Sequence, residues 1–211
     1  MDETSSKRPR PKQVRSRETY KAILEAAAQL FGEKGYDVVT THEIAGKASV
    51  SVGGLYRYFS DKESLLIEVY RREMSSLRHR IIEQLGTMET EEAEIRALVT
   101  KAMNMAFNAY RSRSGLLRVL SEQSRKIPAL IELRGAQENE IHEAVGRILE
   151  MVPGVTLPDR RMGAYLIRLF LESLIDNHVL HEKTPKEFDE LRLTEGAVDF
   201  LLRYVIGGTT I

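Results

Sequence analysis

The nine residues from Ser51 to Phe59, with the sequence SVGGLYRYF, constrain the fold more than any other stretch of the chain. Two adjacent glycines make an isolated helix unfavourable there, so neighbouring segments must hold the stretch in place. As one short helix, it would put Leu55 and Phe59 on a common apolar face at i, i+4 spacing. The other sides would present small residues, a phenol and a guanidinium. Such a surface suits a groove in which the backbone approaches closely, and it favours the DNA major groove.

The residues before this stretch predict a helix that forms its hydrophobic floor. Apolar side chains recur at helical spacing from Tyr20 to Phe31, which indicates a first helix over about residues 17–33. Gly35 follows as a left-handed cap that ends this helix.

A second, short helix is predicted over residues 41–48. Thr40 precedes it and Glu43 follows three residues later, which is the capping-box pattern. The turn then lies at residues 49–50, and Ser51 is the N-cap of the third helix. Two short helices joined by such a turn are typical of a helix-turn-helix.

The charge of the chain is unevenly distributed although its net value is zero. Residues 7–62 carry eleven Lys or Arg against six Asp or Glu, whereas the chain from residue 63 onward carries twenty against twenty-three. The amino-terminal quarter is therefore the part suited to meet phosphate. The absence of cysteine excludes disulfides and thiolate zinc sites. Because residues 1–17 are polar and basic and no long apolar run follows, we predict a cytoplasmic protein without a membrane span.

The first residues, 1–14, predict a flexible basic arm, since Pro9 and Pro11 disfavour a helix and no apolar period appears. The arm either follows the DNA backbone or is a solvated tail. Its basic residues, with two that follow it, are Lys7, Arg8, Arg10, Lys12, Arg15 and Arg17.

The run of about 50 residues from Tyr20 to Leu66 contains five spaced motifs: AxxLF at 27–31, KGY at 34–36, TTxxIA at 40–45, VSxGxLYxYF at 50–59 and DKExLL at 61–66. With these motifs the run resembles the amino-terminal domain of TetR-type transcriptional repressors. Two positions depart from the family pattern. Ser49 stands where a glycine is usual, which costs about 1 kcal/mol if the turn is left-handed, and Gly54 stands where a polar residue is usual.

This resemblance implies phosphate contacts by Tyr56 and Lys62, neither of which has an evident core role in the sequence. Val52 and Gly53 would approach bases, and Arg57 would reach guanine or phosphate. Thr40 fits a cap better than a contact, Thr41 matches a backbone-contacting position, and His42 fits a DNA contact or a solvated residue equally. The predicted DNA-binding residues are Thr40, Thr41, His42, Ser51, Val52, Gly53, Gly54, Tyr56, Arg57, Tyr58 and Lys62.

The remaining sequence predicts helices without any strand pattern. A fourth helix starts at Asp61 and Lys62 and reaches about Gly86, and five more follow over about residues 90–113, 114–124, 128–151, 158–181 and 185–206. Prolines 128, 158 and 185 mark three of the starts. We predict an all-α fold: a three-helix helix-turn-helix domain over residues 15–62, then a larger helical ligand-binding and dimerisation domain over residues 63–211.

The resemblance also implies a homodimer and a ligand cavity in the second domain. Gln137 interrupts an apolar stripe formed by Leu130, Leu133, Ile141 and Ile148, so it needs a polar partner, which a small and largely apolar inducer would supply. The stripe of Met103, Phe107 and Tyr110 fits either core or cavity. The predicted cavity residues are Met103, Phe107, Tyr110, Leu117, Leu120, Gln137 and His178, and the predicted dimer interface is Leu166, Leu169, Phe170, Leu174, Val198, Leu201, Leu202 and Val205.

Little in the sequence indicates a metal site or an enzyme. His178 and His181 lie beside Asp176 and Glu182, but two histidines without a fixed third ligand are a weak metal signal, and we predict neither a metal nor another cofactor. No nucleophile, acid–base pair or phosphate loop indicates an enzyme. The resemblance thus predicts a dimeric regulator, most simply a ligand-released repressor on a palindromic operator. The alternative is a non-enzymatic helical adaptor that binds a protein through its last two helices.

Overall fold

The computed structural model describes residues 11–85, 95–151 and 154–207, and in these ranges every regular element is a helix. The predicted all-α fold is confirmed. No described helix is long and apolar enough to cross a membrane. The elements are α1 (Pro11–Lys34), α2 (Thr41–Lys47), α3 (Val52–Tyr56), α4 (Lys62–Leu85), α5 (Ile95–Arg111), α6 (Ser114–Gln123), α7 (Pro128–Met151), α8 (Arg160–Ile175), a π-helical segment (Asp176–Leu180) and α9 (Glu190–Val205). Residues 86–94, which include the predicted break after α4, lie outside the described ranges.

The chain divides into two compact units, residues 1–72 and 73–211. The division falls inside α4, whereas the sequence placed the domain boundary at the start of that helix. The first turns of α4 belong to the N-terminal unit because they pack into its core. Leu65 and Leu66 are fully buried, and Glu68 accepts a hydrogen bond of 3.1 Å from the hydroxyl of Tyr20 on α1.

Helix α1 begins at Pro11, earlier than the predicted start near Arg17. The prediction of a flexible arm is therefore wrong for residues 11–14, while residues 1–10 lie outside the described part of the chain. Proline breaks a helix from its interior, but at the first helical position its missing N–H would have had no intrahelical partner. Pro11 therefore occupies the first position of α1 and does not prevent the helix from forming.

The predicted starts of the next three helices are confirmed by side-chain caps. Thr40 and Glu43 form the reciprocal capping box at α2. The Ser51 hydroxyl accepts a 3.0 Å hydrogen bond from the Gly54 amide at α3. At α4, the Asp61 carboxylate accepts a 2.6 Å bond from the Ser64 amide. Each cap satisfies a backbone N–H that the first helical turn leaves without an intrahelical partner.

Two residues in turns of this unit have a left-handed backbone conformation. Gly35, with φ of 87°, ends α1 as predicted. Ser49 lies in the turn between α2 and α3 and has φ of 57°, so the left-handed conformation considered for this position is present on a residue that carries a Cβ.

The core of the C-terminal unit is an apolar cluster to which α5, α7, α8, the π segment and α9 all contribute. Within this cluster, Phe107 is 1% exposed and Val198 is fully buried. Its buried members are Met103, Phe107, Leu149, Ala164, Ile167, Val179, Ala197, Val198, Leu201 and Val205.

Two predicted helix starts in this unit are wrong. Helix α8 begins at Arg160 after its N-cap Asp159, and α9 begins at Glu190 after its N-cap Asp189. Each aspartate accepts a hydrogen bond from the amide three residues on, of 2.9 and 2.8 Å. The prolines at 158 and 185 lie in the preceding turns, because an aspartate that caps the helix outcompetes a nearby proline as the start signal.

The predicted helix over residues 158–181 is also not α-helical along its whole length. After Ile175 the backbone widens into the π segment, where the His181 amide donates to the Asp176 carbonyl at 3.0 Å, an i→i+5 bond. Short π turns inside helices occur frequently at functional sites. This one places His178 among side chains from two other helices.

An ion-pair cluster joins α7 to α8. Arg134 and Glu138 lie on α7, and Arg168 and Glu172 lie on α8. The guanidinium of Arg168 is 2.8 Å from Glu172 and 3.6 Å from Glu138, and this side chain is 8% exposed. A buried charge is tolerated only when it is paired in this way, so the cluster fixes which side of α8 faces inward.

Candidate functional site

The N-terminal unit presents one outer face formed by α2 and α3. Ile44 and Ala45 on α2 and Leu55 on α3 are buried against the core. The opposite sides of both helices are exposed, and a surface of this kind can enter a DNA groove. The exposed predicted DNA-binding residues are Thr40, His42, Ser51, Gly53, Tyr56 and Arg57, and the half-buried ones are Thr41, Val52, Gly54, Tyr58 and Lys62.

The start of α2 is held by the carboxylate of Glu43. It accepts hydrogen bonds from the Thr40 amide at 2.9 Å and from the Lys34 ammonium at 2.8 Å. These bonds, first the one from Lys34, lower the pKa of Glu43 to about 2. The Thr40 hydroxyl is engaged with Glu43 as well, at 3.0 Å. Thr40 is therefore a cap, as its sequence context favoured.

Tyr56 and Thr41 meet across α2 and α3. Their hydroxyl oxygens are 3.1 Å apart, while the Tyr56 side chain remains 48% exposed. The contact fixes the phenol at the edge of the outer face, and two hydroxyls in this arrangement are suitable donors to a phosphate oxygen.

The two glycines of α3 differ in their surroundings. A Cβ added at Gly53 would have no atom within 4 Å, whereas one at Gly54 would meet the Ser51 hydroxyl at 3.1 Å. Gly53 therefore lies open on the outer face, and Gly54 lies against its own helix cap. A base edge can approach the backbone closely at Gly53.

Tyr58 lies beyond the end of α3 and is directed toward α1. Its hydroxyl is 3.1 Å from the hydroxyl of Ser16, and its ring meets the Tyr20 ring edge-on with centroids 6.2 Å apart. The ring of Tyr20 also stacks on that of Phe59 at 5.2 Å. Sequence reasoning missed Ser16, which lies one helical turn before Tyr20. Extending the apolar stripe of α1 back by a turn would have indicated it.

Lys62 has a structural role that the sequence did not indicate. Its ammonium donates hydrogen bonds to the carbonyls of Tyr36 at 2.8 Å and Val39 at 3.0 Å, with a longer contact of 3.4 Å to that of Asp37. It also lies 4.4 Å from the centre of the Tyr36 ring. The interpretation that Lys62 lacks a core role is therefore wrong, because this side chain ties α4 to the loop between α1 and α2.

Comparison with known families agrees with both units. Residues 23–69 match the family described as "Bacterial regulatory proteins, tetR family". Residues 94–204, more than half of the chain, match "Tetracyclin repressor-like, C-terminal domain". The chain belongs to the TetR family. Members of this family are DNA-binding transcriptional regulators and not enzymes, and they combine an operator-binding N-terminal domain with a ligand-binding C-terminal domain.

Individual relatives of this TetR-family regulator are known in Bacillus subtilis (strain 168). The present chain is 41% identical over 96 residues to the uncharacterized HTH-type transcriptional regulator YvkB. This match covers 40% of the present chain and 50% of that protein. The present chain is 28% identical over 89 residues to the fatty acid metabolism regulator protein, covering 42% and 46% respectively. The chain thus spans about half the length of these curated relatives.

The whole fold also has solved counterparts. The crystal structure of a TetR-family transcriptional regulator from Syntrophomonas wolfei str. Goettingen superposes with a TM-score of 0.69 at 19% sequence identity, covering 92% of this chain and 98% of that one. At this identity the similarity shows a common TetR-family fold.

In the C-terminal unit of the TetR-family regulator, most predicted cavity residues are buried. Met103, Phe107, Leu117 and Leu120 are each at most 4% exposed. Burial raises the pKa of the Tyr110 hydroxyl to about 12, and the nearby Glu172 carboxylate adds to the rise. The remaining two residues of the predicted set, Gln137 and His178, are polar.

Gln137 and His178 were expected as polar anchors for a ligand. Gln137 is half-buried and interacts within the protein, so a ligand is not needed to supply its polar partner. His178 is held between Thr184, whose hydroxyl is 3.1 Å from Nδ1, and the ring of Phe107, at 5.5 Å between centroids.

The predicted dimer interface needs correction. Val198, Leu201 and Val205 are buried in the apolar cluster of their own chain, so they do not form an outer face. Leu166 and Leu169 are 43% and 38% exposed. Phe170, Leu174 and Leu202 are half-buried at the edge of the cluster. Four further exposed apolar side chains on the same two helices were not predicted: Met162, Tyr165, Leu191 and Phe200.

The described residues contain no group of three or more metal-ligating side chains. His178 and His181, which gave the weak metal signal, lie against different carboxylates. His178 Nε2 is 3.7 Å from Glu190, and His181 Nε2 is 3.6 Å from Asp176.

Proposed function

We propose that this regulator is a repressor that binds a palindromic operator as a homodimer and leaves it when a small, largely apolar molecule binds the C-terminal unit. The observation that carries the proposal is the exposed outer face of α2 and α3, with Gly53, Tyr56 and Arg57 on α3 and at its end. One such face reads only a few base pairs, and a two-fold pair of them reaches operator specificity.

Four residues on this face have an assigned role in the proposal. Arg57 is exposed and reads guanine or clamps a phosphate. Tyr56 and Thr41 together bind a phosphate oxygen, and Gly53 admits a base edge to the backbone. We assign Lys62 to positioning the loop, since an ammonium has three protons and carbonyls accept them here.

The outer side of α8 supports the proposed dimer. Met162, Tyr165, Leu166 and Leu169 follow the i, i+3, i+4, i+7 spacing of one helical face and are each at least 38% exposed. Beside them, the rings of Phe170 and Phe200 pack at 4.8 Å and extend the apolar surface onto α9. The same face on a second copy would cover this surface, as in a two-fold interface.

Ligand control requires that the inducer binds the DNA-incompetent state better than the competent one. Helix α4 supports such coupling, because its residues belong to both compact units. A change in the C-terminal part of α4 therefore acts on the helix whose start is tied to the DNA-binding unit through Lys62.

The test uses fluorescence anisotropy with labelled duplexes from the DNA upstream of the protein's own coding sequence. We expect one duplex to bind far more tightly than a scrambled copy. Arg57→Ala should weaken that binding by about 1–3 kcal/mol, and the control Arg118→Ala, which changes an exposed arginine of α6, should not. Equal binding of native and scrambled DNA would reject an operator-reading function and favour the helical adaptor.

A further inference from the structure

Three buried side-chain atoms in the described part of the chain lack a hydrogen-bond partner: His178 Nε2, Thr194 Oγ1 and His142 Nδ1. Buried polar groups in native proteins are almost always hydrogen-bonded, so each exception calls for a physical explanation. His142 lies on α7, against the ring of Tyr165 on the exposed side of α8. The other two atoms lie on the π segment and on α9.

The imidazole of His178 is fixed with one nitrogen left over. Nδ1 is 3.1 Å from the Thr184 hydroxyl. Nε2 is 3.7 Å from Glu190 Oε2, which is beyond hydrogen-bond distance. Glu190 is itself bound by the guanidinium of Arg111, and this bond, before other causes, lowers the pKa of that carboxyl. His178 also contributes to the lowering of the Glu190 pKa, but at 3.7 Å its Nε2 makes no hydrogen bond to that carboxylate. Glu190 is bound mainly by Arg111, and Nε2 remains available.

Thr194 lies one helical turn after Glu190, on the same inward face of α9. It is 2% exposed, and Val198 follows at the next i+4 position, fully buried in the apolar cluster. Its hydroxyl is buried one turn before Val198, a member of the cluster. The ring of Phe107, another member, lies 5.5 Å from that of His178, so both polar atoms lie next to members of the apolar cluster.

We propose that His178 Nε2 and Thr194 Oγ1 form the hydrogen-bonding end of a ligand site between α5, the π segment and α9, which takes an uncharged hydroxyl or carbonyl group on an otherwise apolar molecule. This inference rests on the ligand control proposed above. It puts Thr194 in the anchoring role expected of Gln137.

The charges around the site select an uncharged group. The Glu190 carboxylate is matched by Arg111, so the site has no spare charge to balance an ionised ligand group in a buried position. An imidazole nitrogen and a hydroxyl can each form a hydrogen bond with an alcohol or a ketone. Phe107 and Met103 supply the apolar wall.

Matched probes test this chemistry on the full chain without DNA. One set is 2-naphthol, naphthalene and 2-naphthoate, and the other is 1-decanol and decanoate. Equilibrium dialysis should show each alcohol binding about tenfold more tightly than its carboxylate, and 2-naphthol similarly more tightly than naphthalene. If neither alcohol binds better than its partners, or none of the probes binds, the proposed site is overturned.

Substitutions then locate the binding. Thr194→Val is nearly isosteric, and His178→Phe keeps a ring against Phe107. Each should weaken alcohol binding about tenfold and leave naphthalene binding unchanged. His142→Phe, which removes the third partnerless atom, is the matched control and should change neither. Loss of alcohol binding in the control alone, or unchanged binding in Thr194→Val, overturns the assignment, and the valine variant keeps the test valid if the phenylalanine variant does not fold.

The same probes in the DNA anisotropy assay separate this inference from the proposed function. Alcohol binding that requires Thr194 but releases no DNA supports the site and contradicts ligand-controlled repression. Specific DNA binding without any such alcohol site overturns the inference and leaves the DNA-reading function intact.

Discussion

Ser49 holds a left-handed backbone conformation, with φ of 57°, in the turn between α2 and α3. A residue with a Cβ pays roughly 1 kcal/mol or more for this conformation, which glycine adopts freely. Ser49→Gly should therefore raise the free energy of unfolding by about 1 kcal/mol in urea titrations. Ser75→Gly is the control, since Ser75 is exposed within α4 and glycine there should lower stability by about 0.5–1 kcal/mol. The same sign for both changes would contradict the strain at Ser49.

Glu43 gives the N-terminal unit a dependence on pH. Its folded-state pKa is about 2, below the ordinary value of 4.5. A carboxyl with a lowered pKa contributes stability that is fully present above its unfolded pKa and is lost as pH falls toward the folded one. The stability difference between wild type and Glu43→Gln should thus be constant above about pH 5 and shrink between 4.5 and 2. Urea unfolding at several pH values measures it, with Glu18→Gln, an exposed change on α1, as the control.

Lys62 should matter to folding more than to phosphate binding. Lys62→Met removes the donor to the Tyr36 and Val39 carbonyls, so it should lower the free energy of unfolding by about 1–3 kcal/mol. Lys47→Met, which changes an exposed lysine of α2, should have little effect on stability. In DNA titrations, the slope of log affinity against log salt should stay the same for Lys62→Met, and a decrease of about 1 would instead indicate a direct phosphate contact.

At the scale of elements, helix α8 has one face in the core and one outside. Leu166 lies on the outer face and is 43% exposed, whereas Leu201 of α9 is 6% exposed inside the core. Leu166→Arg should give folded monomers by sedimentation with weakened operator binding. Leu201→Arg should instead unfold the unit, since a buried unpaired charge is strongly destabilising. A Leu166→Arg dimer as stable as wild type would place the interface on other helices.

Helices with a local start signal could be predicted from sequence, and those with competing signals could not. The Thr40–Glu43 pair, Ser51 and Asp61 cap their helices as expected, because a cap depends only on residues within one turn. Near residues 158 and 185 a proline and an aspartate compete, and the aspartate is the N-cap in both cases. The π segment has no sequence signature of its own.

At the scale of the whole molecule, the exposed face of α2 and α3 was predictable from sequence and the packing of α8 and α9 was not. The motif over residues 50–59 places its outer residues through local helix geometry alone. By contrast, α8 and α9 carry more apolar residues than one face needs, so only packing decides that Leu201 faces inward and Leu166 outward. The proposed role of Thr194 likewise depends on a partnership with His178, which no local sequence pattern connects to it.

The uneven charge of the chain gives a prediction for the whole molecule. Its net charge is zero, yet the basic residues of the first quarter should meet phosphate. Operator affinity should therefore fall steeply with salt, by roughly 10³-fold between 50 and 200 mM if a dimer makes about six phosphate contacts. Anisotropy at four salt concentrations measures the slope. An affinity independent of salt would contradict binding through the DNA backbone.

Gly53 has a consequence for how such a regulator can change its target over evolution. Its position on α3 has no neighbouring atom within 4 Å of an added Cβ, and alanine there would favour the helix by about 1 kcal/mol. The fold therefore places no steric limit on this position, and the side chain that occupies it can drift without loss of the native structure. A single codon change at residue 53 is thus an accessible route to a new operator preference, because specificity can diverge there while the scaffold stays the same.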